Sequence, residues 1–216
     1  MIPVFVVARD RPTYLRRTLA AMTHLLDAQV FIVDHGTTDP AGIQWLRDDC
    51  PFTVMWRGDK YVHDLWTYEN FRNIVGSRPF AVTDPDVDLS DCPDDLIQTC
   101  LLALEAFPHV VKAGPALQLD DLPDTVLASR VTEWESQFWN RPLADDVYEA
   151  PIDTTFAVYR PLTVIREFQL GPGARLGGKY TARHMPWYET EITDELCHYR
   201  ERMLTGASHW PPEDLP

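Results

Sequence analysis

The chain has 216 residues, 45% of them apolar, with seven tryptophans and a formal net charge of −14. That length and apolar content suit one α/β domain with a proper core and exclude a disordered chain. The acidic balance excludes general nucleic-acid binding by a basic surface, so an anionic ligand would need a metal ion or a local cluster of Arg and Lys.

In chain order, residues 2–8 are apolar and β-branched throughout, which predicts a short buried strand. The run is too short for a membrane span and lacks the basic leader and cleavage site of a signal peptide. Arg9, Asp10, Arg11 and Pro12 make the turn that follows. Leu15, Leu19, Met22 and Leu26 then recur at helical spacing, with Arg16 and Arg17 on the other face. Residues 30–33 read as a second buried strand ending in Asp34, His35 and Gly36. A short helix over 40–48, a third strand over 52–56 and a helix over 64–76 come next, and 80–82 is a fourth strand. His35 and His63 read as surface or supporting residues.

The fourth strand ends in Asp84, Pro85, Asp86, Val87 and Asp88. Carboxylates at alternating positions after a buried strand suit an oxygen-loving cation such as Mg²⁺, Mn²⁺ or Ca²⁺. An acidic loop entering a helix is the plainer alternative. Pro93, with Asp94 and Asp95, marks a helix start whose apolar face is Ile97, Cys100, Leu101 and Leu104. Strands follow over 110–117 and 154–159. The second half is less regular and rich in Trp, Asp and Pro, and residues 201–216 read as a tail. Cys50, Cys92, Cys100 and Cys197 contain no CxxC pair, which points to free thiols in a reducing cytoplasm.

Alternating strands and helices predict an α/β fold, doubly wound, with a mostly parallel central sheet flanked by helices. In such sheets ligands bind beyond the carboxyl ends of the strands. Three strands end in chemically capable residues there: Arg9 to Arg11, Asp34, and Asp84 to Asp86.

These residues, taken in order, resemble the GT-A fold glycosyltransferases, which use nucleoside-diphosphate sugars. The opening from Val4 to Leu15 is similar to that of many members. The segment Val33 to Asp39 resembles the part that holds the nucleoside, and Asp84-Pro85-Asp86 resembles the D-x-D metal motif. The likeness runs through 2–115 and more loosely to about 190. It implies one Rossmann-like GT-A domain over 1–216, with a nucleotide-sugar half at 1–115 and an acceptor half at 116–200.

The resemblance further implies that Asp34, Arg9 and Arg11 contact the nucleotide. Asp84 would hold the ribose or a metal-bound water, and Asp86 would ligate Mn²⁺ or Mg²⁺ on the diphosphate. His184 is the candidate late ligand, with Asp84 as a further one. Lys179 and Arg183 would pair with the diphosphate, which needs positive charge. For the base on the acceptor, Asp153 stands out because it precedes a buried strand, where a carboxylate is costly unless paired or functional. Glu133 and Glu135 are the other candidates. Trp134, Trp139 and Trp187, with Phe138 and Tyr188, would stack on sugar rings, and Asp120, Asp121 and Asp124 would meet acceptor hydroxyls. Each has a plainer reading: Asp34 as a turn cap, the aromatics as core, the charged groups as solvated surface.

The expected activity is metal-dependent transfer of a sugar from a UDP- or GDP-sugar to a hydroxyl acceptor such as a glycan, without nucleic acid or a membrane segment. Two alternatives stand beside it: a phosphohydrolase of the haloacid-dehalogenase type, with Asp84 and Asp86 as nucleophile and acid/base, and a non-catalytic nucleotide- or glycan-binding module. Sugar-phosphate nucleotidyl transfer fits less well, since that chemistry opens with a Gly-rich loop and Arg9 to Pro12 contain no glycine.

Overall fold

The computed structural model describes residues 1–58, 65, 67–163 and 171–202. Its centre is a nine-stranded sheet. The first half supplies β1 (Ile2–Ala8), β2 (Ala28–Asp34), β3 (Thr53–Trp56), β4 (Phe80–Thr83) and β6 (Lys112–Pro115). The second half supplies β7 (Pro142–Ala144), β8 (Val147–Ala150), β9 (Phe156–Tyr159) and β10 (Gly173–Leu176). The order across the sheet is β3-β2-β1-β4-β9-β6-β10-β8-β7. Both halves therefore build one sheet, which is mostly parallel, with β9 antiparallel to β4 and β6 and β8 antiparallel to β10. A separate two-stranded ribbon pairs β5 (Val87–Asp88) with β11 (Arg183–His184).

Apolar residues on both parities of β1 make sense because both faces are covered. Val4, Val6 and Ala8 join one cluster with Leu15, Leu19 and Met22 of α1 (Pro12–Met22), Leu46 of α2 (Pro40–Asp48) and Leu96, Ile97 and Cys100 of α4 (Leu96–Ala106). Phe5 and Val7 join the other, with Phe71 and Val75 of α3 (Glu69–Val75) and with Phe80 and Tyr159. Phe80 stacks on Tyr159 at 5.1 Å between centroids. Burying each such aromatic contributes roughly 1.5–3 kcal/mol.

Residues 40–48 are helical as the spacing predicts, with Asp39 capping the Gly42 N–H. The helix expected over 64–76 is α3 from Glu69; residues 64 and 66 of that span lie outside the described residues, as do His63 and residues 203–216 of the expected tail. The strand expected over 110–117 shortens to β6, where Gly114 is required: a Cβ there would meet the Phe156 carbonyl oxygen at 2.0 Å. Two further α-helices are α5 (Val126–Ser136) and α6 (Asp194–Arg202). No helix among the described residues is long and apolar enough to cross a membrane, and all four cysteines are free.

Candidate active site at the carboxyl ends of the strands

The ends of β2, β1 and β4 are neighbours: Ala8 pairs with Asp34, and Val6 with Thr83. Residues 9–11, 34–39 and 84–86 consequently converge on one rim, as the strand order requires.

On the β1–β2 side the carboxylates are saturated. Asp10 is buried and sits at φ 48°, a conformation Asp tolerates through local hydrogen bonds. It accepts the N–H of Thr38 at 2.5 Å and of Asp39 at 2.8 Å, and the Thr38 hydroxyl at 3.0 Å. His198 Nε2 lies 3.5 Å from it. Asp34, also buried, accepts the N–H groups of Gly36 at 3.1 Å and Thr37 at 3.2 Å. Helix α6 roofs this side through polar contacts. Arg9 donates to the carbonyls of His35 and Arg202, both at 3.0 Å, and the Thr13 N–H donates to Glu195 at 3.2 Å.

On the β4 side the aspartate turn is held from two directions. The Thr18 hydroxyl of α1 donates to the carbonyls of Pro85 at 2.7 Å and Val87 at 3.1 Å. The β5–β11 ribbon sets His184 opposite Val87, and the Met185 N–H donates to the Asp86 carbonyl at 2.9 Å. His184 Nε2 thereby comes 3.6 Å from Asp86 Oδ1. The other Asp86 oxygen accepts from Arg11 Nη1 at 2.8 Å, and Arg11 Nη2 reaches Glu189 at 3.0 Å. The guanidinium lies between the rings of Tyr14 and Tyr199, at 4.3 and 4.9 Å. Tyr14 also donates to Glu189.

Burial, and then the charge of Asp86, push the Asp84 carboxyl well above its usual range, although it accepts the Thr154 hydroxyl. Burial lowers the His184 imidazole against the pull of Asp86, so it is neutral near pH 7, the form that binds metals. For Arg11, burial opposes the charge, but Asp86 and Glu189 outweigh it.

A divalent cation fits these residues in part. Asp86 Oδ1 is buried with no hydrogen-bond partner. Its 3.6 Å separation from His184 Nε2 is too long for a hydrogen bond. Two ligands each about 2.1 Å from one ion stand at most about 4.2 Å apart, so the gap admits a cation. No group of three His, Cys, Asp or Glu among the described residues is arranged to hold a metal. A two-ligand site is the kind that Mg²⁺ completes with substrate phosphates and water.

The remaining sequence candidates divide. Asp153 is exposed on the segment between β8 and β9, close enough to Asp84 and His184 to act on both electrostatically. Glu133 is exposed on α5. Glu135 is buried and paired with Arg175 at 2.5 Å, so it is a structural anion and not available as a base. Trp187 is likewise core: it is buried, edge-on to His184 at 4.8 Å, and offers no open face to a sugar. Trp134 is exposed, and Trp139 packs edge-on against Tyr148 at 5.0 Å. Arg183 pairs with Asp91 and, at 2.6 Å, with Asp121, which also accepts from Tyr188 at 2.6 Å. Lys179 is exposed, its ammonium 5.0 Å from the Tyr180 ring centroid, and Asp120 and Asp124 are exposed.

The sequence assigns no role to Tyr14, Glu189 and Tyr199, which surround Arg11, and marks Asp10 only as part of the turn after the first strand. A positive φ at Asp10 leaves no sequence trace, and Glu189 sits 178 residues from the arginine it meets.

No family model and no curated protein matches this sequence. Solved structures do. TarS of S. aureus, residues 1–349, superposes with a TM-score of 0.50 at 10% identity, covering 86% of this chain. This chain spans 60% of that one. LgtC, a galactosyltransferase crystallised with donor and acceptor sugar analogues, gives 0.38 at 11% identity, over 74% of this chain and 58% of that one. The CMP:2-keto-3-deoxy-manno-octonic acid synthetase with CTP gives 0.41 at 12%, over 93% and 78%. The fold is that of the GT-A type: a mixed α/β, mostly parallel sheet flanked by helices.

Proposed function

Starting from a chain of GT-A-type fold, we propose that this protein is a metal-dependent glycosyltransferase that moves a sugar from a nucleoside-diphosphate donor to a hydroxyl acceptor. The observation that carries the reading is Asp86 Oδ1, buried with no hydrogen-bond partner, facing His184 at the end of β4. Asp86 and His184 would hold Mn²⁺ or Mg²⁺, with Asp84 behind them. Bound there, the ion would supply Lewis-acid neutralisation of the departing diphosphate.

The chain's own residues do the rest. Arg11 fixes one oxygen of Asp86 and so turns the other toward His184. Burial first, and then the charge of Asp86, raises the pKa of Asp84, and a cation would relieve the second of these. Asp153 is the exposed carboxylate nearest this cluster in electrostatic terms, and it takes the acceptor's proton. The acceptor oxygen bonds to the anomeric carbon, the sugar–phosphate bond breaks, and its electron pair leaves on the β-phosphate oxygen.

Isothermal titration of the protein with UDP and with GDP, each with and without Mn²⁺, tests this. Metal-dependent binding of one of them is expected, and binding of neither sinks the reading.

A further inference from the structure

Residues 151–155 join β8 to β9 and carry Asp153, and the carbonyls on either side of it are held, those of Pro151, Ile152, Thr154 and Thr155. Arg175 Nε donates to the Pro151 carbonyl at 2.9 Å. Lys112 Nζ donates to the Ile152 carbonyl. The Asp84 N–H donates to the Thr154 carbonyl at 2.7 Å, and the Thr83 hydroxyl donates to that of Thr155. Asp153 is the exposed residue between two pinned neighbours.

Two of the four donors are buried cations, Lys112 at 0% and Arg175 at 5% exposure. Taking a cation out of water costs several kcal/mol. Glu135 offsets this for Arg175. Lys112 donates to the Ile152 carbonyl, and its ammonium stands 5.7 Å from the centroid of the Tyr159 ring. Burial drops its pKa to about 8, while Asp153 pulls the other way. A core position that asked only for volume would take Met at no such cost.

We propose that Lys112 and Arg175 are positioning residues, which clamp the backbone at 151–152 so that the Asp153 carboxylate faces the Asp84–Asp86–His184 rim where an acceptor hydroxyl arrives. The assignment rests on the reading of Asp153 as the acceptor's base. It explains why two buried cations converge on adjacent carbonyls, and why Glu135 is buried beside one of them.

The test compares wild type with Lys112→Met, and with His109→Ala as an exposed control. Lys112→Met removes a buried charge at similar volume but leaves the Ile152 carbonyl without its Lys112 donor, so its thermal midpoint falls modestly and the protein stays folded. Its affinity for UDP or GDP in Mn²⁺ stays within about twofold, because the donor residues are untouched. Amide exchange of residues 151–156, read by mass spectrometry, accelerates by about tenfold or more. Release of nucleoside diphosphate from UDP-glucose, UDP-N-acetylglucosamine or GDP-mannose falls in kcat by on the order of 100-fold with KM unchanged. Arg175→Lys keeps more activity than Arg175→Met. A Lys112→Met protein with wild-type exchange or wild-type kcat overturns the proposal. So does a wild type that binds nucleotide yet releases none, since Asp153 then activates nothing. A wild type that binds neither UDP nor GDP overturns the donor reading instead, and the exchange rates still decide whether the clamp exists.

Discussion

Asp10 and Asp34 stand at the ends of β1 and β2, and Asp84 and Asp86 at the end of β4, on one rim of one sheet. By position they are equivalent; by their donors they are opposites. Asp10 and Asp34 each collect two backbone N–H groups from the 36–39 loop. Asp86 has an arginine on one oxygen and no hydrogen-bond donor on the other, which faces His184, and Asp84 is pushed toward its protonated form by burial and by Asp86. A carboxylate fully supplied with donors shapes a loop, whereas one short of donors is a place for a ligand. An aspartate after a strand is therefore not evidence of function until its donors are counted.

The comparison breaks if a saturated carboxylate proves functional first and structural second. Asp10→Ala should be the most damaging change, about 4 kcal/mol by urea unfolding, because two charge-assisted bonds of about 1.5–3 kcal/mol each are lost. The folded fraction should still bind UDP or GDP in Mn²⁺; normal stability with lost binding would reverse the assignment. Glu135→Ala comes next, at about 3 kcal/mol, since it strands the buried Arg175. Joint replacement of Glu135 by Leu and Arg175 by Met should recover most of that stability, as measured by the same unfolding curves. Recovery of stability without recovery of turnover is the outcome that the clamp on Asp153 requires.

Asp86→Asn sharpens the other side. Asn still accepts from Arg11, so the thermal midpoint should hardly move. Affinity for the nucleoside diphosphate in Mn²⁺ should fall by about 100-fold, or roughly 2.7 kcal/mol, while affinity in EDTA stays put. Equal affinities in Mn²⁺ would remove Asp86 from the ligand set.

The rim itself was legible because buried parallel strands are nearly continuous in apolar residues and their ends are punctuated by charge. Residues 2–8 and 40–48 were readable to the residue for the same reason of local pattern. Tertiary events were not. The close approach of antiparallel β9 to β6 depends on Gly114 yielding space to a carbonyl from a segment over 40 residues away. Trp187 looked like a stacking platform because aromatic residues carry no sign of which face is covered. Glu135 looked like a candidate base because its partner Arg175 is 40 residues away. Helix α6 buries only Leu196 among its described residues, too little for a periodic apolar signal, yet its polar groups roof Arg9 and Asp10.

Arg183 is the smallest and sharpest case. It adjoins His184 in β11, so proximity in sequence argues for a role on the diphosphate. Successive residues of a strand point to opposite sides. With His184 turned toward Asp86, Arg183 is turned away from it, and there it meets Asp91 and Asp121. These partners are largely exposed, and exposed pairs contribute little. Arg183→Met should change stability by no more than about 1 kcal/mol and UDP or GDP affinity by no more than roughly fivefold. A larger, Mn²⁺-dependent loss of affinity in titration would mean that Arg183 leaves its two aspartates when the diphosphate binds, and that a carboxylate partner in the free protein can be a resting place for a ligand-binding cation.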